Sequence, residues 1–139
     1  MTTSITSGDL LYRVENGVGH AVLNRPQARN ALTFEMYDRL ADICASMPTD
    51  GSVRAIVVSG AGGKAFGAGT DISLFKAFKG AEDGLEYERR MSVRIGKIEA
   101  CPVPMIAAIS GACTGGGAAI AACADIRVAT QDLRFGFPI

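Results

Sequence analysis

The sequence is poor in the groups that most often announce a chemistry. It has no Trp and one His, its aromatic content is 6%, and 14 basic side chains are matched by 14 acidic ones. Balanced charge argues against nucleic acid or an anionic membrane as partner, because phosphate backbones and acidic lipids are held by a basic excess. His20 lies in a strand-like run with no acid or nucleophile at a useful spacing, so it reads as a structural or surface residue. Cys44, Cys101, Cys113 and Cys123 match neither a C-x-x-C zinc pattern nor a redox pair. No metal site is expected. Their apolar company marks them as reduced core thiols, and the expected compartment is the cytoplasm. The first residues have no basic and no apolar stretch, so no signal peptide is expected.

What the chain does have is length for one domain (139 residues, 48% of them apolar) and 17 Gly. So much glycine is costly in conformational entropy and should stand where backbone must approach something. Cys101 to Ala124 carries no charge and is long enough to cross a membrane. Pro102, Pro104, Ser110, Gly111 and Thr114 to Gly117 interrupt it, so it reads as a buried strand, a tight loop and a buried helix.

Leu10–Glu15 and Val18–Asn24 read as a hairpin around Asn16-Gly17. Thr33 is the expected N-cap of a helix whose apolar face is Met36, Leu40, Ile43, Cys44 and Met47, stopped by Pro48. Ala55 to Val58 and Met105 to Ile109 read as fully buried strands, and Ile126 to Ala129 as a further strand. Glu82 to Glu99 reads as a charged helix with a solvated face that includes Arg89, Arg90 and Arg94. Strands alternating with helices predict an α/β fold with parallel pairing and no internal repeat. The last residues, Leu133 to Ile139, read as apolar and turn-like, as if cut in mid-element.

Two corners repeat one design: a buried strand, a glycine-rich loop, then the next element. The first runs through Gly60 to Gly69, the second through Gly111 to Gly117. Bare backbone lets N–H groups face a ligand, and a helix start adds the positive end of its dipole. Two such amides converging on one oxygen would make an oxyanion hole, each donor worth about 3 kcal/mol in a transition state. Close packing of a small-residue helix on a sheet explains the same glycines without any ligand. A phosphate cradle is a third reading, although Gly63-Lys64 is followed by Ala65 rather than Ser or Thr, and Gly60 to Ala65 fits the dinucleotide fingerprint poorly. Asp125, between helix and strand, reads as a structural hydrogen-bond site more than as an acid.

Taken in order, Leu23-Asn24-Arg25-Pro26, Arg29-Asn30-Ala31-Leu32, Val53 to Val58, Lys64-Ala65-Phe66-Gly67-Ala68-Gly69-Thr70-Asp71-Ile72, Pro104 to Gly111, Gly115-Gly116-Gly117 and Ala124-Asp125-Ile126 resemble the crotonase superfamily, the enoyl-CoA hydratases and isomerases. The likeness covers nearly the whole chain. It implies the ClpP/crotonase spiral fold of repeated ββα units, as one domain over residues 1–139 that is incomplete at its C-terminus. It implies an acyl-CoA thioester as ligand, with coenzyme A as part of the substrate and no separate cofactor. The two oxyanion amides would map to Ala68 and Gly116. Ala68, Gly69, Thr70 and Asp71 would line the CoA site, and Arg29 would contact CoA phosphates. The likeness also implies a homo-oligomer, a trimer or hexamer.

Departures from the family pattern are equally definite. The two glutamates by which its hydratases move protons would fall at Ala119 and Ile139. Neither side chain carries a proton, so the two-glutamate hydration mechanism is closed to this chain. An acid or base would have to come from beyond Ile139 or from Glu82 to Glu88. The expected function is therefore acyl-CoA binding of the enoyl-CoA hydratase/isomerase type, with a thioester enolate held in an oxyanion hole. The alternative is a non-catalytic CoA-ester binder or structural subunit, and a weaker one is a nucleotide-binding α/β domain.

Overall fold

The computed structural model describes residues 3–5 and 8–138. Strands β1 (Thr3–Ile5), β2 (Leu10–Glu15) and β3 (Val18–Leu23) form an antiparallel run. Asn16 and Gly17 both take positive φ (52° and 76°), the geometry of a tight hairpin turn. The chain then crosses through a short 3-10 turn, Pro26–Ala28, into helix α1, Phe34–Ala45. Thr33 caps this helix as expected, its hydroxyl accepting from the Met36 amide at 3.2 Å.

Next come β4 (Ala55–Gly60), β5 (Ala65–Ala68), a 3-10 segment (Ile72–Ala77) and α2 (Ala81–Glu99). They are followed by β6 (Met105–Ile109), β7 (Ala112–Thr114), α3 (Gly116–Cys123), β8 (Ile126–Ala129) and β9 (Arg134–Gly136). β4, β6 and β8 extend the first sheet in parallel, giving the order β1-β2-β3-β4-β6-β8. β5, β7 and β9 make a second, wholly parallel sheet. The chain thus alternates: a strand in the large sheet, a strand in the small sheet, then a helix. β4–β5–α2 and β6–β7–α3 are two turns of that spiral, a structural repeat with no sequence repeat to announce it.

The α/β class and parallel pairing agree with the sequence reading, but four details differ. β5 and β7 lie inside what reads as glycine loop, and β9 inside the turn-like end, because strands of three or four residues are too short to show a period. β4 and β6 are not fully buried: Ile56, Val58, Met105, Ala107 and Ile109 are sealed, while Ala55, Val57, Ile106 and Ala108 are half-buried. The sealed face packs in the core with Leu40, Cys44 and Ile120 from α1 and α3. Arg94 is not on a solvated face. It is 9% exposed, holds both carboxylate oxygens of Asp38 and stacks on the Phe34 ring, joining α2 to α1. Among the described residues no helix is long and apolar enough to cross a membrane. β8, β9 and the chain just after β9 leave Ile126, Val128, Phe135 and Phe137 open to solvent.

Candidate active site

β5 and β7 are parallel neighbours, so their C-terminal ends open on the same edge, where ligands of parallel sheets are commonly held. Ala68 pairs with Thr114, and two residues further on Thr70 stands beside Gly116. The two glycine corners meet there as backbone on backbone. A Cβ on Gly117 would lie 2.1 Å from the Gly67 carbonyl oxygen, and one on Gly116 would lie 2.9 Å from the Thr70 hydroxyl. Glycine is required at both positions by contact alone.

Not every amide at this edge is available. The Ala68 N–H donates to the Arg29 carbonyl at 3.0 Å, on the side of β5 away from β7. The assignment of Ala68 as an oxyanion donor is corrected on this ground: its N–H already has a partner. Gly69, at φ 94°, turns the following peptide over. The Gly69 carbonyl accepts from Leu32 N–H at 2.8 Å, and a trans peptide places its N–H on the opposite side. The Thr70 N–H therefore points away from Leu32, and among the described residues it has no acceptor. Gly116 opens α3, and the amides of a first helical turn lack intrahelical partners. The free pair is Thr70 and Gly116.

Three side-chain constructions hold this corner. Tyr37, fully buried on α1, shares a 2.8 Å hydrogen bond with the Thr70 hydroxyl. Burial pushes its phenol up to about 12, although the Thr70 bond pulls the other way. Asp71 accepts from the Ser73 amide at 3.0 Å and pairs with Arg25 at 3.2 Å. The Ser73 hydrogen bonds, with Arg25 adding to them, hold its carboxyl below the usual range. Asp71 is thus a fixed anion that caps the 3-10 segment, and its carboxylate is taken up by the fold. Asn30, fully buried at φ 55°, accepts from Arg25 N–H and donates to the Ala61 and Ala65 carbonyls at 2.9 and 2.8 Å. The sequence reading missed Tyr37, which carries no pattern beyond its own residue type, and gave Asn30 no role of its own within Arg29-Asn30-Ala31-Leu32.

Arg29 lies off the amide corner. Its exposed side chain and Lys64 flank a cavity of about 240 Å³ that Pro26, Asn30 and Gly62 help to line. Ala119 sits half-buried in the first turn of α3, its amide on the Gly115 carbonyl. Ile139 lies outside the described residues. In the acidic stretch, Arg90 and then Arg89 hold Glu86 below the usual carboxylate range, and Asp83 accepts from the Lys79 amide. Asp125 is structural as expected, its carboxylate on the Met105 amide at 2.8 Å. All four cysteines are free thiols, and burial raises Cys44 and Cys113 away from thiolate character.

Comparison with known proteins gives the family and the fold. Residues 18–138 match the family described as enoyl-CoA hydratase/isomerase. The chain is 34% identical over 130 residues to a short-chain-enoyl-CoA hydratase of Clostridium acetobutylicum, covering 94% of this chain and 49% of that protein. It is 37% identical over 130 residues to the mitochondrial Delta(3,5)-Delta(2,4)-dienoyl-CoA isomerase of Mus musculus, covering 84% and 38%. An enoyl-CoA hydratase/carnithine racemase from Magnetospirillum magneticum superposes with a TM-score of 0.89 at 36% identity, over 96% of this chain and 51% of that one. The chain spans about half the length of the curated relatives it matches. The small parallel sheet, its glycine corner and these matches lead to one assignment: the chain belongs to the enoyl-CoA hydratase/isomerase family, with the crotonase fold.

Proposed function

We propose that this chain binds an acyl-CoA thioester and holds its carbonyl oxygen between the Thr70 and Gly116 amides. The observation that carries the reading is that Thr70 and Gly116 stand together at one sheet edge and that neither amide has an acceptor among the described residues. A thioester carbonyl gains negative charge as its α-carbon is deprotonated or its β-carbon is attacked. Two fixed amides stabilise that charge more than they stabilise the ground state, each by about 3 kcal/mol. The dipole of α3 adds to the Gly116 donor. Relatives whose names are enoyl-CoA hydratase and dienoyl-CoA isomerase support the ligand class. Arg29 and Lys64, flanking one cavity, are the cations placed to meet CoA phosphates.

The residues at the corner do not complete proton transfer. Ala119 offers a methyl group, Glu86 is a paired carboxylate and Asp71 is bound to Arg25 and Ser73. Oxyanion stabilisation is therefore the part of a hydratase or isomerase that we assign here, within a single domain. Ala119 also favours a second reading, a CoA-ester binder without turnover. The open side chains of β8 and β9 support self-association, and four free thiols support a reducing compartment, the cytoplasm.

Titration with CoA, butyryl-CoA and ATP, followed by a crotonyl-CoA hydration assay, tests these readings. Saturable binding of butyryl-CoA, tighter than CoA, is the expected result. Binding without turnover selects the non-catalytic reading, and binding of ATP in preference to both overturns the thioester assignment.

A further inference from the structure

We propose that Tyr37 is the positioning residue of the oxyanion pair, its buried hydroxyl holding Thr70 so that the Thr70 and Gly116 amides share one focus. The inference rests on the thioester reading above. Three elements converge on one oxygen atom. Tyr37 comes from α1, Thr70 from the turn after β5, and Gly116 from the start of α3. The Tyr37 Oη lies 2.8 Å from the Thr70 Oγ1. A Cβ on Gly116 would lie 2.0 Å from that same Oη. Tyr37 is fully buried, whereas Thr70 is half-open. The pair thus runs from the core to the site, with Tyr37 on the sealed side, where it touches no ligand.

Thr70 needs such a tether. Its own N–H has no acceptor among the described residues, and Gly69 before it stands at φ 94°, a conformation in which no side chain helps to fix the turn. The Leu32 hydrogen bonds hold the Gly69 carbonyl, and with it the plane of the Thr70 N–H, on one side and the Asp71 amide on the other, while the Thr70 side chain is held by neither. The Tyr37 bond is the one side-chain hydrogen bond that Thr70 makes among the described residues. Tyr37 is itself rigid, because a buried phenol on a packed helix has few rotamers open to it. Burial raises the phenol further above the physiological range, so it meets Thr70 as a neutral hydroxyl.

The test uses para-dimethylaminocinnamoyl-CoA, whose absorption moves to longer wavelength as its carbonyl is polarised, together with the ¹⁵N order parameter of the Thr70 amide. The unsubstituted chain is expected to bind the probe with a red shift and to give an order parameter near the rigid value of about 0.85. Tyr37→Phe is expected to lose about half of the red shift, while affinity held by remote CoA contacts falls by at most about threefold. Its Thr70 order parameter should fall toward about 0.6. Thr70→Val removes the same bond from the other end and should reproduce the loss of red shift. Thr70→Ser keeps the hydroxyl and should restore it. An unchanged red shift and an unchanged order parameter in Tyr37→Phe overturn the positioning role. Failure of the unsubstituted chain to bind the probe overturns the thioester reading instead, and the order parameter then decides on Tyr37 alone.

Discussion

The glycine corner and the α1–α2 face handle polar groups in opposite ways. Between α1 and α2 lies a cavity of about 480 Å³, lined by Asp38, Glu86, Arg89, Arg90, Arg94 and Lys97 among others. Its charges answer one another: Arg94 holds Asp38, and Glu86 holds Arg89 and Arg90. At the corner the side-chain bonds of Tyr37, Asp71 and Asn30 are internal to the scaffold, and among the described residues the Thr70 and Gly116 amides have no acceptor. A region rich in charged residues can thus satisfy most of them internally, while one built from Gly, Ala and Thr leaves backbone donors without acceptors among the described residues.

Substitutions that separate the two regions sharpen this contrast. The largest effect is expected at Gly117, where a Cβ meets the Gly67 carbonyl at 2.1 Å and no rotamer can relieve it. Gly117→Ala should cost about 3 kcal/mol in denaturant unfolding and abolish acyl-CoA binding. A stable, binding-competent variant would break the close-packed account of the corner.

Alkaline pH probes the corner next. The Tyr37 phenol is raised in the fold from 10.0 to about 12, so the fold favours its neutral form. Its contribution is fully present below pH 10 and is lost as pH rises toward 12, by about 2 to 3 kcal/mol. Tyr37→Phe should lack that component in unfolding curves recorded across the same range.

On the helical face, Asp38→Ala leaves the nearly buried Arg94 without its acid. With Asp38 half exposed, solvent screens the loss to about 1 kcal/mol, read as a lower Tm with acyl-CoA affinity unchanged. Smallest of all is Glu86→Gln, in an open pair, where neither Tm nor affinity should move measurably. A large loss of binding in either variant would place the functional site on the helices.

Much of the scaffold could be read from sequence because its signals are local. Asn16-Gly17 specifies a turn, Thr33 a cap, and the apolar spacing from Met36 to Cys44 one face of a helix. The two corners were also legible, as glycine after buried strand. Which amide in the first corner stays free was not, because that depends on the Arg29 carbonyl, far away in sequence, reaching Ala68. Arg94 misled for a related reason: its neighbours on α2 are solvated, and only the packing of α1 brings Asp38 and Phe34 over it. Three-residue strands such as β7 and β9 owe their existence to the partners beside them, not to a pattern of their own.

The most direct measurement is a ¹H–¹⁵N titration of the chain with butyryl-CoA and, separately, with CoA. The account predicts that the Thr70 and Gly116 amide protons move downfield with the thioester alone, while Ala68 stays in place. Movement of Ala68 in their stead, or an identical response to CoA, would contradict it.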